Sequence, residues 1–443
     1  MAIYDPNNDP ATVQTTVGYP STHDMGTDFC FTGEEKQALK KLAAQVAEIA
    51  ARPEMKQKAA LWTKHNDLKT DTPVVFIDPE QGWNELVKPE GLVCKDPLAR
   101  AWEMGFRKQI YWADVLKDDR VVQNYFDVPY SYTNTGWGFE EYRTGESTGS
   151  DYQNAYHIEA ALDDFEEDFG KLHYPEITIV QDESDRMMEM AHELFAGVLK
   201  IRRKQTWWWT LGLGWDYAFL RGMENYMCDY LVEPEWARKL LDFLCTGKLK
   251  MIEYLEANNL LASNAGNTYV GSGGFGFTEE LPSEEENTEH VKLSGMWGFC
   301  DAQESARMDP DFYGEYLLPL HKKILGKFGL TCYGCCEAFD NRWHYVRELP
   351  NLRRVSVSAW ADWSAVPEKL GKDYIASVKP NPATLAFSEI DEDAVRKDCR
   401  DAVEKTKGGI CEFIMKDNHT LGGNPQNARR WVEIMREEID KGY

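Results

Sequence analysis

The sequence predicts an α/β fold: a single (β/α)₈ TIM barrel carrying an N-terminal helical and irregular extension. Three observations lead there. Short β-branched or aromatic runs alternate with amphipathic helical segments, the pattern of parallel strands joined by helical crossovers. About eight such units follow one another over roughly 370 residues, which suits a closed barrel better than an open sheet. The chain has 443 residues, 43% of them hydrophobic, enough for one enlarged core.

Taken in order, residues 1–33 are rich in Pro, Thr, Asp and Gly, show no periodicity, and read as an arm. Glu34 to Ala51 places Leu39, Leu42, Ala43, Val46, Ile49 and Ala50 on one helical face. Thr32, with Glu35 three residues later, predicts a capping box at its start. Residues 1–70 are therefore expected to form an arm and helix packed on a barrel of residues 71–443. Strands are expected at Pro73–Asp78, Ile177–Gln181, Thr206–Leu213, Leu260–Asn264, Met296–Cys300, Leu330–Cys336, Arg354–Trp360, Tyr374–Val378 and Ile410–Met415. Helices are expected at Ala101–Ile110, Arg186–Arg203, Tyr217–Leu231, Pro234–Asn258, Pro310–Phe328, Asn341–Arg347, Asp391–Lys405 and Gln426–Lys441.

Charge and composition narrow the function. The 49 basic residues against 74 acidic ones leave a net charge of −25, which argues against nucleic acid as the main partner. No window holds 18 apolar residues, so no membrane span is expected. No secretory or transit segment is visible, which predicts a cytoplasmic protein with reduced thiols.

In a barrel, chemistry gathers where strands end at their C-terminal side. Leu330 to Tyr333 runs into Gly334-Cys335-Cys336-Glu337, and thiolate and carboxylate are both zinc ligand types. The last strand runs into Lys416-Asp417-Asn418-His419, so Asp417 and His419 could complete a site with Cys335 and Glu337. The bland alternative is cysteines packed as small apolar residues. Trp207 and Trp215 are candidates for an aromatic wall, Lys379 for contact with an anionic substrate, and Tyr333 for a further substrate contact. Gly271-Ser-Gly273-Gly-Phe-Gly276 matches a dinucleotide fingerprint, but no helix follows it, so it reads as a flexible loop.

Several segments carry a resemblance. Asp301-Ala-Gln-Glu304, Met308-Asp-Pro310, Phe312-Tyr-Gly-Glu-Tyr316 and Leu318-Pro319 resemble the helix that precedes a ligand-bearing strand in the uroporphyrinogen decarboxylase superfamily. Asp229 to Leu241, and Asn424-Pro-Gln-Asn427 before the last helix, are similar to two further motifs of that family. The resemblance runs from about residue 170 to the C-terminus. It implies either a decarboxylase or a zinc-dependent methyltransferase that exchanges methyl groups with a corrinoid protein. The arginine motif of the decarboxylases is not visible, which favours methyl transfer in the manner of an O-demethylase. On that reading Cys335, Glu337 and His419 hold the metal, and Asp417 or His419 acts as ligand or proton donor. The implied partners are a small methoxylated or methylated donor, a corrinoid protein and a second copy of the chain. A metal-free decarboxylase or lyase acting on an acidic substrate is the alternative, followed by a non-catalytic binding barrel.

Overall fold

The computed structural model describes residues 29–139, 143–144, 157–158, 160–285 and 289–442. Eight strands run parallel to a neighbour: β1 (Val74–Ile77), β2 (Tyr125–Val128), β3 (Lys200–Arg203), β4 (Trp297–Cys300), β5 (Leu330–Tyr333), β6 (Leu352–Val357), β7 (Ile375–Val378) and β8 (Ile410–Met415). Six of them form one sheet in the order β1-β8-β7-β6-β5-β4, and β2 pairs with β3 apart from it. The fold is thus mixed α/β with a six-stranded parallel sheet, consistent with a TIM-barrel-like arrangement.

Along the free edge of β1, the segment that precedes β2 supplies hydrogen bonds in place of a strand ladder. Asp119 N–H donates to the Val75 carbonyl at 2.8 Å, while Asp119 and Asp118 carboxylates accept from the Val75 and Ile77 N–H groups at 2.8 and 3.0 Å. At the other edge, Leu211 N–H donates to the Phe299 carbonyl of β4 at 2.9 Å. These bonds satisfy buried backbone groups that would otherwise be orphaned.

The expected strands at β1 and β4–β8 are present. The runs Thr206–Leu213 and Leu260–Asn264 are irregular instead, and Ile177–Ile179 joins Tyr132–Asn134 in a small antiparallel pair. The helix expected over Arg186–Arg203 ends at Phe195, and β3 begins at Lys200. A continuous helix over Tyr217–Leu231 is interrupted at Gly222, whose φ of +76° leaves the helical region.

The helices cover the outer face. α1 (Gly33–Ala50) carries the predicted capping box, with Thr32 and Glu35 bonding each other's backbone N–H. It packs with α3 (Pro97–Tyr111) and α4 (Gln181–Phe195) around Phe31, Leu39, Val46, Trp102, Phe106 and Phe195. α2 (Pro53–Asn66) brings Trp62, His65 and Asn66 into the interior. Two further helices span Glu392–Thr406 and Gln426–Gly442 and pack with β1, β7 and β8 in one core cluster.

The concave face is filled by the glycine-rich segment, which is a buried hairpin rather than a flexible loop. Val270 N–H donates to Gly274 O and Gly276 N–H to Thr268 O, both at 3.0 Å. Asn66 Nδ2 holds the Phe275 and Phe277 carbonyls, and Trp297 Nε1 holds that of Gly276. Gly271 and Gly274 have positive φ (+71° and +86°). A Cβ on Gly271 would lie 2.9 Å from Cys332 Cβ, and one on Gly274 2.7 Å from the Glu412 carboxylate. The glycines therefore let this backbone lie directly against strand side chains.

Candidate functional site

Alternation along each strand decides what faces the hairpin. Glu412 and Ile414 on β8, Ser377 on β7, Arg354 on β6 and Cys332 on β5 all lie against its glycines. Further along the strands, the same alternation, with Phe299 on β4 and Phe76 on β1, brings Lys416, Lys379, Ser358, Asp301 and Asp78 to the C-terminal edge of the sheet, and all five are buried.

The two lysines differ in their surroundings. Lys416 Nζ lies 3.4 Å from both Glu80 Oε1 and Asp417 Oδ1. Burial disfavours its charge, but Glu80 and Asp417 outweigh that and hold it well above the ordinary lysine value. Burial pushes Glu80 up to about 7, against the opposing pull of Lys416. Among the described residues, Lys379 Nζ donates to Ser377, to its carbonyl at 2.9 Å and its hydroxyl at 3.0 Å. No carboxylate of the described residues lies within ion-pair distance of it. Burial, then the neighbouring Lys416 charge, pushes Lys379 down to about 8. A buried cation satisfied by neutral oxygens is suited to an anionic ligand that supplies the missing counter-charge.

Cys335 sits beside this pair. Its N–H donates to Glu337 Oε2 at 2.8 Å, its carbonyl accepts from Ser356 Oγ at 2.9 Å, and its thiol accepts from Ser272 Oγ at 3.3 Å. Cys336 Sγ lies 3.7 Å from Cys335 Sγ. That contact, then burial, pushes the Cys335 thiol well up.

The expected metal ligands are not brought together. Glu337 accepts the N–H groups of Ala302 and Cys335, one on each oxygen, so its carboxylate staples two loops. His419 is exposed, with Nδ1 2.7 Å from Gln81 Oε1. Among the described residues, no three His, Cys, Asp or Glu side chains are gathered as a metal ion requires. With both Glu337 oxygens already accepting backbone N–H groups and His419 turned toward Gln81, the three residues do not fit zinc here. The catalytic pair is divided likewise: Asp417 adjoins Lys416, whereas His419 faces away.

Of the expected substrate contacts, Lys379 is at the site. Tyr333 is not: on β5 it alternates with Cys332, and its ring packs 5.3 Å from Tyr313 on the helix side. Trp207 donates to the Leu260 carbonyl and packs on Tyr130 and Tyr132. It borders a separate cavity of about 50 Å³ with Trp209, Asn264 and Trp297. Trp215 is half-buried in the first turn of the helix Gly214–Arg221. Sequence reasoning missed Lys416, Glu80 and Ser272; Lys416 was readable, since it continues the alternation Glu412, Ile414.

Two ionic groups flank the site. Beneath it, Arg354 Nε lies 3.1 Å from Glu412 Oε1, and His65 Nε2 lies 3.4 Å from Glu412 Oε2, all buried. Beyond β4, Thr210 Oγ1 donates to Asp301 at 2.7 Å, and burial together with Glu337 raises Asp301 to about 7.

No family model matches the sequence, and no curated protein matches it. Among solved structures, a methyltransferase from Methanosarcina mazei is similar over 60% of this chain and 72% of its own, at 12% identity and a TM-score of 0.35. No helix among the described residues is long and apolar enough to cross a membrane.

Proposed function

We propose that the protein is a methyltransferase of the uroporphyrinogen decarboxylase type, acting on a small anionic substrate held between Lys379 and Lys416. The observation that carries the site is Lys379, a buried cation at a strand end with no carboxylate of the described residues within ion-pair distance. The reaction class rests on the sequence resemblance from about residue 170 onward. The fold belongs to the same reading: with Asp119 bridging β1 to the approach of β2, and Leu211 bridging the segment after β3 to β4, the strands close an eight-stranded barrel. The site then lies at the mouth where such barrels work.

Lys416 is fixed by Glu80 and Asp417 and serves as a permanent positive charge. Lys379, pushed down to about 8, is the group that moves a proton. In methyl transfer the carbon–heteroatom bond of the donor breaks, its electron pair stays on the heteroatom, and the methyl group passes to a nucleophilic acceptor. Lys379 gives its proton to the departing heteroatom, and Lys416 keeps the substrate's anionic group in place. The acceptor on this reading is a corrinoid carried by a partner protein.

A second reading, loss of carbon dioxide from an acidic substrate, uses the same lysines to hold a carboxylate. One assay separates them. The protein is incubated with cob(I)alamin and a panel of methoxylated and methylated acids, following absorbance, and with di- and tricarboxylic acids, following carbon dioxide. Methylation that disappears in Lys379→Met supports the proposal. Carbon dioxide release without methylation replaces it with the second reading, and turnover unaffected by Lys379→Met overturns the site.

A further inference from the structure

Three of the cysteines, Cys30, Cys228 and Cys336, are exposed, but only Cys336 is adjacent in sequence to a buried partner thiol beside the lysines. The Sγ atoms of Cys335 and Cys336 are 3.7 Å apart, and the Cys335 backbone is pinned on both sides, its N–H by Glu337 and its carbonyl by Ser356. The Cys335 thiol also takes the Ser272 hydroxyl at the tip of the buried hairpin. One thiol therefore meets solvent while its neighbour ties the hairpin to the site.

We propose that Cys335 and Cys336 form a reversible hydroperoxide-sensitive dithiol. The Cys336 thiolate attacks one peroxide oxygen and the O–O bond breaks. This leaves Cys336 sulfenic acid and hydroxide, which is released as water. The Cys335 sulfur then attacks the Cys336 sulfur, its proton leaving with the expelled hydroxide as a second water. In sum two thiols and one hydroperoxide give one disulfide, one alcohol or water from the peroxide, and one water; the sulfurs lose two electrons and the peroxide gains them. Neighbouring residues have Cα atoms about 3.8 Å apart, below the roughly 4.4–6.8 Å usual for a disulfide, so the bond is strained and easily reduced. Such bonds serve as labile switches and not as structural bridges. Closing it draws Cys335 away from Ser272 and frees the hairpin tip beside Lys379 and Lys416. The consequence for catalysis rests on the function proposed above; the thiol chemistry does not.

The test uses the full chain and hydrogen peroxide. After mild treatment, free thiols are alkylated and peptides are mapped by mass. The expected result is loss of two hydrogens on the peptide bearing Cys335 and Cys336, restored by dithiothreitol, while Cys30 and Cys228 remain alkylatable. In Cys335→Ser, Cys336 instead accumulates as a sulfenic acid that dimedone traps. Oxidation of Cys336 no faster than Cys30 and Cys228, or passage to sulfinic acid without a disulfide in the unaltered protein, overturns the proposal. A disulfide formed in protein that shows no methyl transfer upholds the switch and counts against the proposed function alone.

Discussion

Lys379 donates to Ser377, two residues back on the same strand, through both the carbonyl and the hydroxyl at 2.9 and 3.0 Å. A buried lysine is ordinarily paired with a carboxylate; this one is stabilised by neutral oxygens and lies next to a second cation, Lys416. An arrangement that costs folding energy in the free protein becomes favourable when an anion arrives.

Lys379→Met should therefore weaken anionic substrate strongly without harming the fold. Removing one partner of a buried charged contact typically costs about 2–5 kcal/mol of binding, a loss of roughly 30-fold or more. Thermal unfolding of the free variant should occur at the same temperature or higher, because an uncompensated buried charge is gone. Unchanged binding together with a lowered midpoint would give Lys379 a structural role instead.

The pH dependence has a definite sign. Lys379 is depressed from 10.5 to about 8, so between these values the unfolded chain binds the proton and the folded one does not. Its contribution to stability consequently rises as pH increases from about 8 to 10.5, while the penalty of burying the charge is fully present below 8. Binding of a small carboxylate shows the opposite trend, strongest below pH 8 and weakening above it as the proton leaves. Calorimetric titrations across this range check the trend, and Lys379→Arg should remove the inflection near 8 because arginine stays charged.

Gly274 should tolerate no side chain. Its φ is +86°, and an added Cβ would meet the Glu412 carboxylate at 2.7 Å and Arg354 Nη2 at 2.9 Å. Strain and a displaced ion pair together predict about 2–4 kcal/mol of destabilisation for Gly274→Ala. Gly33, in the first turn of α1, has open space around it, and Gly33→Ala should be neutral or stabilising by up to about 1 kcal/mol. Denaturant melts of the two variants provide the comparison.

Arg354 and Glu412 should behave as a coupled pair. Arg354→Met leaves the Glu412 carboxylate buried with His65 and the Ser377 hydroxyl but without its guanidinium partner, and should cost about 3–5 kcal/mol. The double variant Arg354→Met/Glu412→Leu should recover much of that loss, since neither charge then remains. A double-mutant cycle showing additive losses would contradict the coupling.

Much of the sheet was legible because β1 and β4–β8 are apolar runs bounded by turns. β2 and β3 were hidden for an electrostatic reason. β3 (Lys-Ile-Arg-Arg) reads as polar, and β2 is a four-residue run with Asp127 inside it; Asp127 pairs with Arg202 across the two strands, a contact that neither run shows alone. At the site, Lys379, Asp417 and Cys335, each named from its place after a strand, lie in one region of the structure. Orientation was not legible: nothing in the local sequence shows that Glu337 binds backbone N–H groups or that His419 turns toward Gln81. The glycine-rich segment reads as a flexible loop from sequence because the contacts that need its glycines are with Cys332 and Glu412, which lie far along the chain.

The central claim is that Lys379 and Lys416 form an anion site. It is tested most directly by calorimetric titration of small mono- and dicarboxylates into the unaltered protein, Lys379→Met and Lys416→Met at pH 7. The account predicts saturable binding of at least one carboxylate to the unaltered protein and a loss of roughly 30-fold or more in both variants. Equal binding by all three proteins would contradict it.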